Sequence, residues 1–289
     1  MDELLALPAV AVGGALLLGL LVGSFLNVVI LRMPPRLMWG WQRDAREVLE
    51  LPAADAAGAP PDLVRKASHC PACGAALRPW HNIPVLSWIV LRARCHACRT
   101  RISIQYPLIE LLTGVLSALV VWKFGVGVEA GVALIFTWML VAAAGIDFRT
   151  TLLPDELTLP LLWLGLLAAV AGLFVPAGTA IIGAAVGYLS LWSVYQAFKL
   201  LTGKEGMGYG DFKLLAALGA FCGWQGLLPI VLFSALIGAI VGGIWLAMRG
   251  RDRATPIPFG PFLAAAGWVQ FMYGEIIVGG YLRLTGLDG

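Results

Sequence analysis

The sequence predicts an all-α polytopic membrane protein: about eight transmembrane helices, with a small cytoplasmic zinc-binding domain between helices 1 and 2. Three observations lead there. Hydrophobic residues make up 60% of the 289 and charged residues only 13%, against roughly 45–50% and about 25% in soluble domains. With a mean hydropathy of +0.85, this excludes a water-soluble globular enzyme, a coiled coil and a disordered chain. The apolar residues gather into eight long stretches. Four of the five cysteines fall as two Cys-x-x-Cys pairs in the one long polar segment.

The stretches run over about 4–31, 107–122, 130–146, 157–175, 177–198, 212–222, 227–248 and 259–281. A spanning helix needs about 20 apolar residues, and most of these qualify. The first starts with Asp2 and Glu3 rather than a basic segment, and its apolar run is long. It is therefore expected to be a retained helix and not a cleaved signal. The sixth is too short to span unaided. It must be extended by its flanks or enclosed by protein, or else it re-enters.

Eight spans with the N-terminus outside put the loops 32–106, 147–156, 199–213 and 249–258 in the cytoplasm. Those loops hold 18 of the 20 basic residues and leave Lys123 and Arg283 outside. Cytoplasmic loops retain Lys and Arg, so the chain is expected to have a periplasmic N-terminus. A re-entrant sixth stretch would move Arg249, Arg251 and Arg253 to the opposite side.

Residues 32–106 carry 11 basic and 5 acidic side chains. That excess is read as topological retention and contact with anionic membrane lipid, not nucleic-acid binding. Within it, 41–51 has helical spacing and 52–61 is a Pro/Ala-rich linker. Cys70, Cys73, Cys95 and Cys98 present two pairs of thiolates from tight turns, the bite that suits tetrahedral zinc. Two disulfides are the rival, disfavoured by a reducing compartment. Four sulfur ligands close the coordination shell, so the metal is structural, and His69 and His96 are bystanders. Cys222, alone in an apolar helix, is read as a small core residue.

Ionisable residues inside spans are costly and mark function; here they are Glu110, Asp147, Asp211 and Glu275. Asp147 stands where the third stretch reaches the cytoplasmic face, and Asp211 where the sixth leaves it. The two are thus at one membrane depth, although 64 residues apart. Neighbouring carboxylates share a proton, which activates water at one and polarises a carbonyl at the other. The helix N-terminus at Asp211 points to that residue as the ionised partner. In GMGYGD, Gly206, Gly208 and Gly210 leave backbone open for an extended peptide to pair. A phosphate loop would need a Lys-Ser/Thr ending, which is absent. Asp155 and Glu156 read as first-turn charges of the next helix.

These residues resemble the type IV prepilin leader peptidases, a family of GxGD membrane aspartic proteases. The likeness runs through GSFLNVVILRMP (23–34), the paired Cys-x-x-Cys flanking NIPVLSW (82–88), and YPLIELL (106–112). It continues through IDFRTTLLPDELTLP (146–160), GYGD (208–211) and PIPFGPFLAAAGW (256–268). The departures are small: His81, His96 and Phe262. The resemblance implies cleavage of prepilin and pseudopilin leaders after a glycine at the cytoplasmic face of the bacterial inner membrane. It assigns catalysis to Asp147 and Asp211, with Gly208, Tyr209 and Gly210 as the substrate-binding segment. The domains would be a first helix (1–31), the zinc domain (32–106) and a seven-helix peptidase domain (107–289). The paired-cysteine domain further implies N-methylation of the new α-amine by S-adenosylmethionine. No nucleotide fingerprint marks a methyl-donor site, and Asn27, Arg32, Asn82 and Glu110 are the candidates. In a plainer reading Asn27 bonds between helices and Glu110 pairs with an Arg. A proton-coupled transporter, with the two aspartates as relay, and a scaffold docking through its zinc domain are the rival functions.

Overall fold

The computed structural model describes residues 2–52, 58–64, 68–249 and 258–285. Arg251, Arg253 and part of the 52–61 linker lie outside them. The described residues form helices and no named strand; two isolated bridges, His69 to Ala76 and Arg94 to Arg101, close the cysteine turns. The helices are α1 (Asp2–Val48), a short α2 (Leu86–Val90), α3 (Gln105–Phe124), α4 (Val128–Thr150) and α5 (Asp155–Val170). They continue with α6 (Ala177–Thr202), α7 (Tyr209–Cys222), α8 (Leu227–Arg249) and α9 (Gly260–Thr285). Apart from α2, each coincides with one of the eight apolar stretches. Segments within α1, α3, α4, α6 and α8 are both long and apolar enough to cross a membrane. α5 and α7, with 16 and 14 residues, rise only about 24 and 21 Å, and α9 carries Gln270 and Glu275. Glu275 is exposed.

α1 runs past the expected first membrane segment (1–31) and takes in most of the helical spacing read over 41–51. It continues unbroken through Pro34 and Pro35 to Val48. Prolines remove backbone donors and usually interrupt a helix. Here the returning linker is bound by the helix's own cations. Arg32 donates to the Asp62 carbonyl and Arg36 to the Pro60 carbonyl, each at 2.8 Å, while Arg46 reaches the Pro52 carbonyl.

By compactness the chain divides into Met1–Val126 and Gly127–Gly289. Solubility and apolarity cut it elsewhere, at 31 and 106, because α1 packs along α3 in the first unit. Their contact is made of small residues, as helix pairs in lipid prefer. A Cβ on Gly19 would stand 2.7 Å from the Thr113 carbonyl, and one on Gly23 2.7 Å from Glu110 Cα.

In the second unit α7 is the central rod. From Asp211 to Phe221 every residue but Lys213 is buried, which answers how so short an apolar stretch persists as a helix: protein encloses it. Its neighbours approach through glycines. Gly165 of α5 lies against Phe221, Gly187 of α6 against the Leu215 carbonyl, and Gly267 of α9 against the Leu218 side chain. Gly183 of α6 meets Gly219 backbone to backbone. Phe136, Phe221 and Phe271 pack between α4, α7 and α9 with ring centroids 4.4–5.8 Å apart.

Gly183→Ala would push a methyl into a backbone carbonyl that cannot yield. Overpacking costs about 1–3 kcal/mol, so the purified variant should unfold several degrees below wild type. Gly131→Ala on α4, where nothing lies within 4 Å, should leave the melting temperature unchanged in the same detergent.

Candidate functional site

Asp147 lies in the last turn of α4, which ends at Thr151 in the left-handed conformation. The chain then passes through buried Leu153 and Pro154 to α5, whose first turn carries Asp155 and Glu156 as expected. Asp211 lies in the first turn of α7, after Gly208 in extended conformation. Lys213 holds the starts of α5 and α7 together, with Nζ 2.6 and 2.8 Å from the Asp155 carboxylate oxygens.

Both aspartates are buried, Asp147 at 5% exposure and Asp211 at 7%, and the Asp147 charge is felt at Asp211. Leu153 sits at the junction. A Cβ on Gly210 would lie 2.5 Å from Leu153 Cβ, and one on Gly260 3.0 Å from its Cδ1. Gly210 therefore serves close packing rather than open backbone. Gly208 is open, its nearest neighbour being Asp211 Oδ2 at 3.8 Å from a Cβ built there. Tyr209 is half-exposed, its ring against those of Tyr195 and Phe212.

Gly260 has a role that sequence reasoning missed. Its N–H, at the start of α9, donates to Asp147 Oδ2 at 2.9 Å, and a Cβ there would stand 2.7 Å from the same oxygen. The only signal was a glycine at a helix start inside PIPFGP, because the contribution is backbone and not side chain. Asp211 Oδ1 is buried with no hydrogen-bond partner among the described residues. The arrangement is a pair of acids at two helix ends, one oriented by a backbone donor and the other with a vacant oxygen.

The first unit holds the four cysteines. Their sulfurs all lie within 4.8 Å of one another, with Cys70 and Cys98 3.8 Å apart. Tetrahedral zinc–sulfur bonds of about 2.3 Å set sulfur–sulfur edges near 3.8 Å, so the donor set fits zinc. The two turns are built alike. Gly74 N–H donates to the Cys70 carbonyl and Arg99 N–H to the Cys95 carbonyl, and both donors have positive φ, 70° and 61°. Hydrogen bonds from the Thr100 side chain and backbone hold the Cys98 thiol down at about 6. Cys73 accepts a favourable hydrogen bond at Ala75, yet the neighbouring sulfurs push it to about 11. The spacing of the four sulfurs suits a single metal ion among them. His96 stacks on His81 with centroids 4.4 Å apart, and the ligand group among the described residues is the four cysteines without histidine.

Of the methyl-donor candidates, the structure gathers two. Asn27 donates to the Gly23 and Tyr106 carbonyls at 3.3 and 3.0 Å, bonding between helices as the plainer reading expects. Glu110 sits one turn further along α3 and accepts the Val85 N–H at 2.8 Å. The expected Arg partner of Glu110 is a correction: no described ion pair includes Glu110, and Arg32 is turned to the Asp62 carbonyl. Asn82 is exposed in the Pro79–Asn82 turn. Cys222 Sγ lies 3.9 Å from the Gly267 carbonyl in the α7–α9 contact.

The bacterial Peptidase A24 N-terminal domain matches residues 17–124, and the type IV leader peptidase family matches 134–243. The chain is 57% identical over 280 residues to a prepilin leader peptidase/N-methyltransferase of Xanthomonas campestris, covering 97% of each. Proteins of the same name from Stutzerimonas stutzeri and Pseudomonas aeruginosa are 54% and 51% identical. They cover 94% of each chain for the first, and 99% of this chain and 98% of the relative for the second. No solved structure matches.

Proposed function

From the premise that this chain belongs to the type IV leader peptidase family, we propose the following account of its chemistry. It is an enzyme of the membrane, a prepilin leader peptidase and N-methyltransferase. It cleaves the leaders of type IV prepilins, and of the pseudopilins of type II secretion, after a glycine at the cytoplasmic side of the bacterial inner membrane. Its N-terminus is periplasmic and its cysteine domain cytoplasmic. The observation that carries the catalytic assignment is the meeting of two buried carboxylates, Asp147 and Asp211, beside the Gly260 N–H.

Asp147, already accepting that N–H, takes a proton from water, and the resulting hydroxide attacks the scissile carbonyl carbon. Asp211 gives its proton to the carbonyl oxygen. Collapse of the diol returns one hydroxyl proton to Asp211 as the C–N bond breaks, and the proton held by Asp147 passes to the leaving amine. These roles reverse the assignment suggested by the helix end alone, because a direct hydrogen bond to the charged oxygen outweighs a diffuse dipole. Gly208 and Tyr209 border the entry to Asp211, where an extended substrate can lie against the backbone.

Zinc held by Cys70, Cys73, Cys95 and Cys98 supplies a structural cross-link for a segment with little core of its own. The methyl donor, S-adenosylmethionine, supplies a sulfonium methyl to the amine that cleavage exposes. The transporter reading of the two aspartates finds no support among the relatives, which are named as peptidases.

Purified enzyme incubated with a prepilin and isotopically labelled methyl donor tests the whole reading. Intact mass should show loss of the leader and then gain of one labelled methyl on the mature chain. A prepilin that keeps its leader overturns it.

A further inference from the structure

Glu110 is 93% buried, with 7% exposure, and no cation pairs with it among the described ion pairs. Buried carboxylates are normally paired, because leaving one uncompensated is strongly unfavourable. What surrounds it is arranged to hold the group in place without neutralising it. The Val85 N–H donates at 2.8 Å. Gly23 lets α1 close directly on Glu110 Cα.

Two further observations point to a ligand. Asn27, at 1% exposure, uses its amide nitrogen on the Gly23 and Tyr106 carbonyls. Its Oδ1 is left buried with no donor. Val85 has φ 61° and ψ −49°, a region that β-branched residues avoid. Such strain persists where surrounding structure over-determines it, and it clusters at functional sites. Here it aims the Val85 N–H at the Glu110 carboxylate. The Glu110 carboxylate, without a paired cation, and the unpartnered Asn27 amide oxygen are both acceptors, and the charge they lack is positive.

We propose that Glu110, with Asn27 Oδ1 beside it, binds the organic cation of the methyl-transfer half of the reaction. Three groups have that chemistry: the primary ammonium of the newly exposed N-terminus, and the sulfonium and the α-ammonium of the methyl donor. The proposal rests on the methyltransferase reading above and assigns Glu110 as its cation-binding residue.

The test uses the full-length enzyme with a peptide bearing an already free N-terminus, so that methylation is read apart from cleavage. Glu110→Gln keeps an acceptor for the Val85 N–H and removes the charge. Methylation should fall about tenfold or more, as expected when a charge-assisted contact becomes neutral, while prepilin cleavage stays at the wild-type rate. Glu110→Asp should restore part of the loss. Weaker binding of S-adenosylmethionine, with binding of S-adenosylhomocysteine (which lacks the sulfonium charge) unchanged, would identify the sulfonium as the ligand. Equal weakening of both would identify the α-ammonium they share, and a raised KM for the peptide with both nucleosides bound normally would identify the peptide's ammonium. Wild-type methylation by Glu110→Gln overturns the proposal, and so does a loss that Glu110→Asp restores in no part, which marks a structural role. Failure of the wild-type enzyme to methylate would instead overturn the methyltransferase reading itself.

Discussion

Asp147→Asn and Asp211→Asn each reduce prepilin cleavage by about three orders of magnitude or more, within the range that a positioned general acid or base contributes. Asparagine preserves shape and the oxygen that accepts the Gly260 N–H, so the contact recorded at 2.9 Å survives. What disappears is the shared proton. With a neutral amide at 147 nothing takes the proton from water; with one at 211 nothing delivers a proton to the carbonyl oxygen. The two residues act as a unit, and residues acting as a unit are non-additive. The double variant is therefore no slower than the slower single one. Initial rates on a purified prepilin, with helical content followed by circular dichroism, make the measurement. A correctly folded single variant that cleaves normally would remove the acid pair from the mechanism.

Replacing Cys70 and Cys95 together by serine empties the metal site and unfolds the segment around it. These are the two buried sulfurs of the four, one from each turn, so the two that remain, Cys73 and Cys98, cannot close a shell. Structural zinc contributes about 10–16 kcal/mol to small domains, far more than two isolated bridges and the short α2 can supply. Metal analysis of the purified protein should fall from about one zinc per chain to near none, and limited proteolysis should open the chain between α1 and α3. An unchanged zinc content, or an equally resistant segment without metal, would show that something other than the ion holds these turns.

Most of the architecture was legible because a bilayer imposes one simple rule: apolar runs of a given length become helices. The places that resisted are those where tertiary contacts override a local signal. α1 outruns its apolar stretch through Pro34 and Pro35, and Arg32 and Arg36 on this extension bind the returning chain. The run at 212–222 looked too short to be a span, and its persistence depends on glycines contributed by three other helices. Around the acids, side-chain chemistry was visible in the letters while backbone chemistry was not. Asp147 and Asp211 could be placed at one depth from topology, whereas Gly260 acts through an N–H that every residue but proline possesses. Glu110 shows the converse. A buried acid suggested a nearby Arg, and only the fold reveals that the available guanidinium is committed elsewhere.

The shortness of α7 has a physical corollary for hydrolysis in lipid. A rod of 14 residues is about 21 Å long, while the hydrocarbon layer is about 30 Å thick. Its sides are covered by α5, α6 and α9, so the thickness of the lipid sets no length for it, and the acid in its first turn is housed by protein rather than by hydrocarbon.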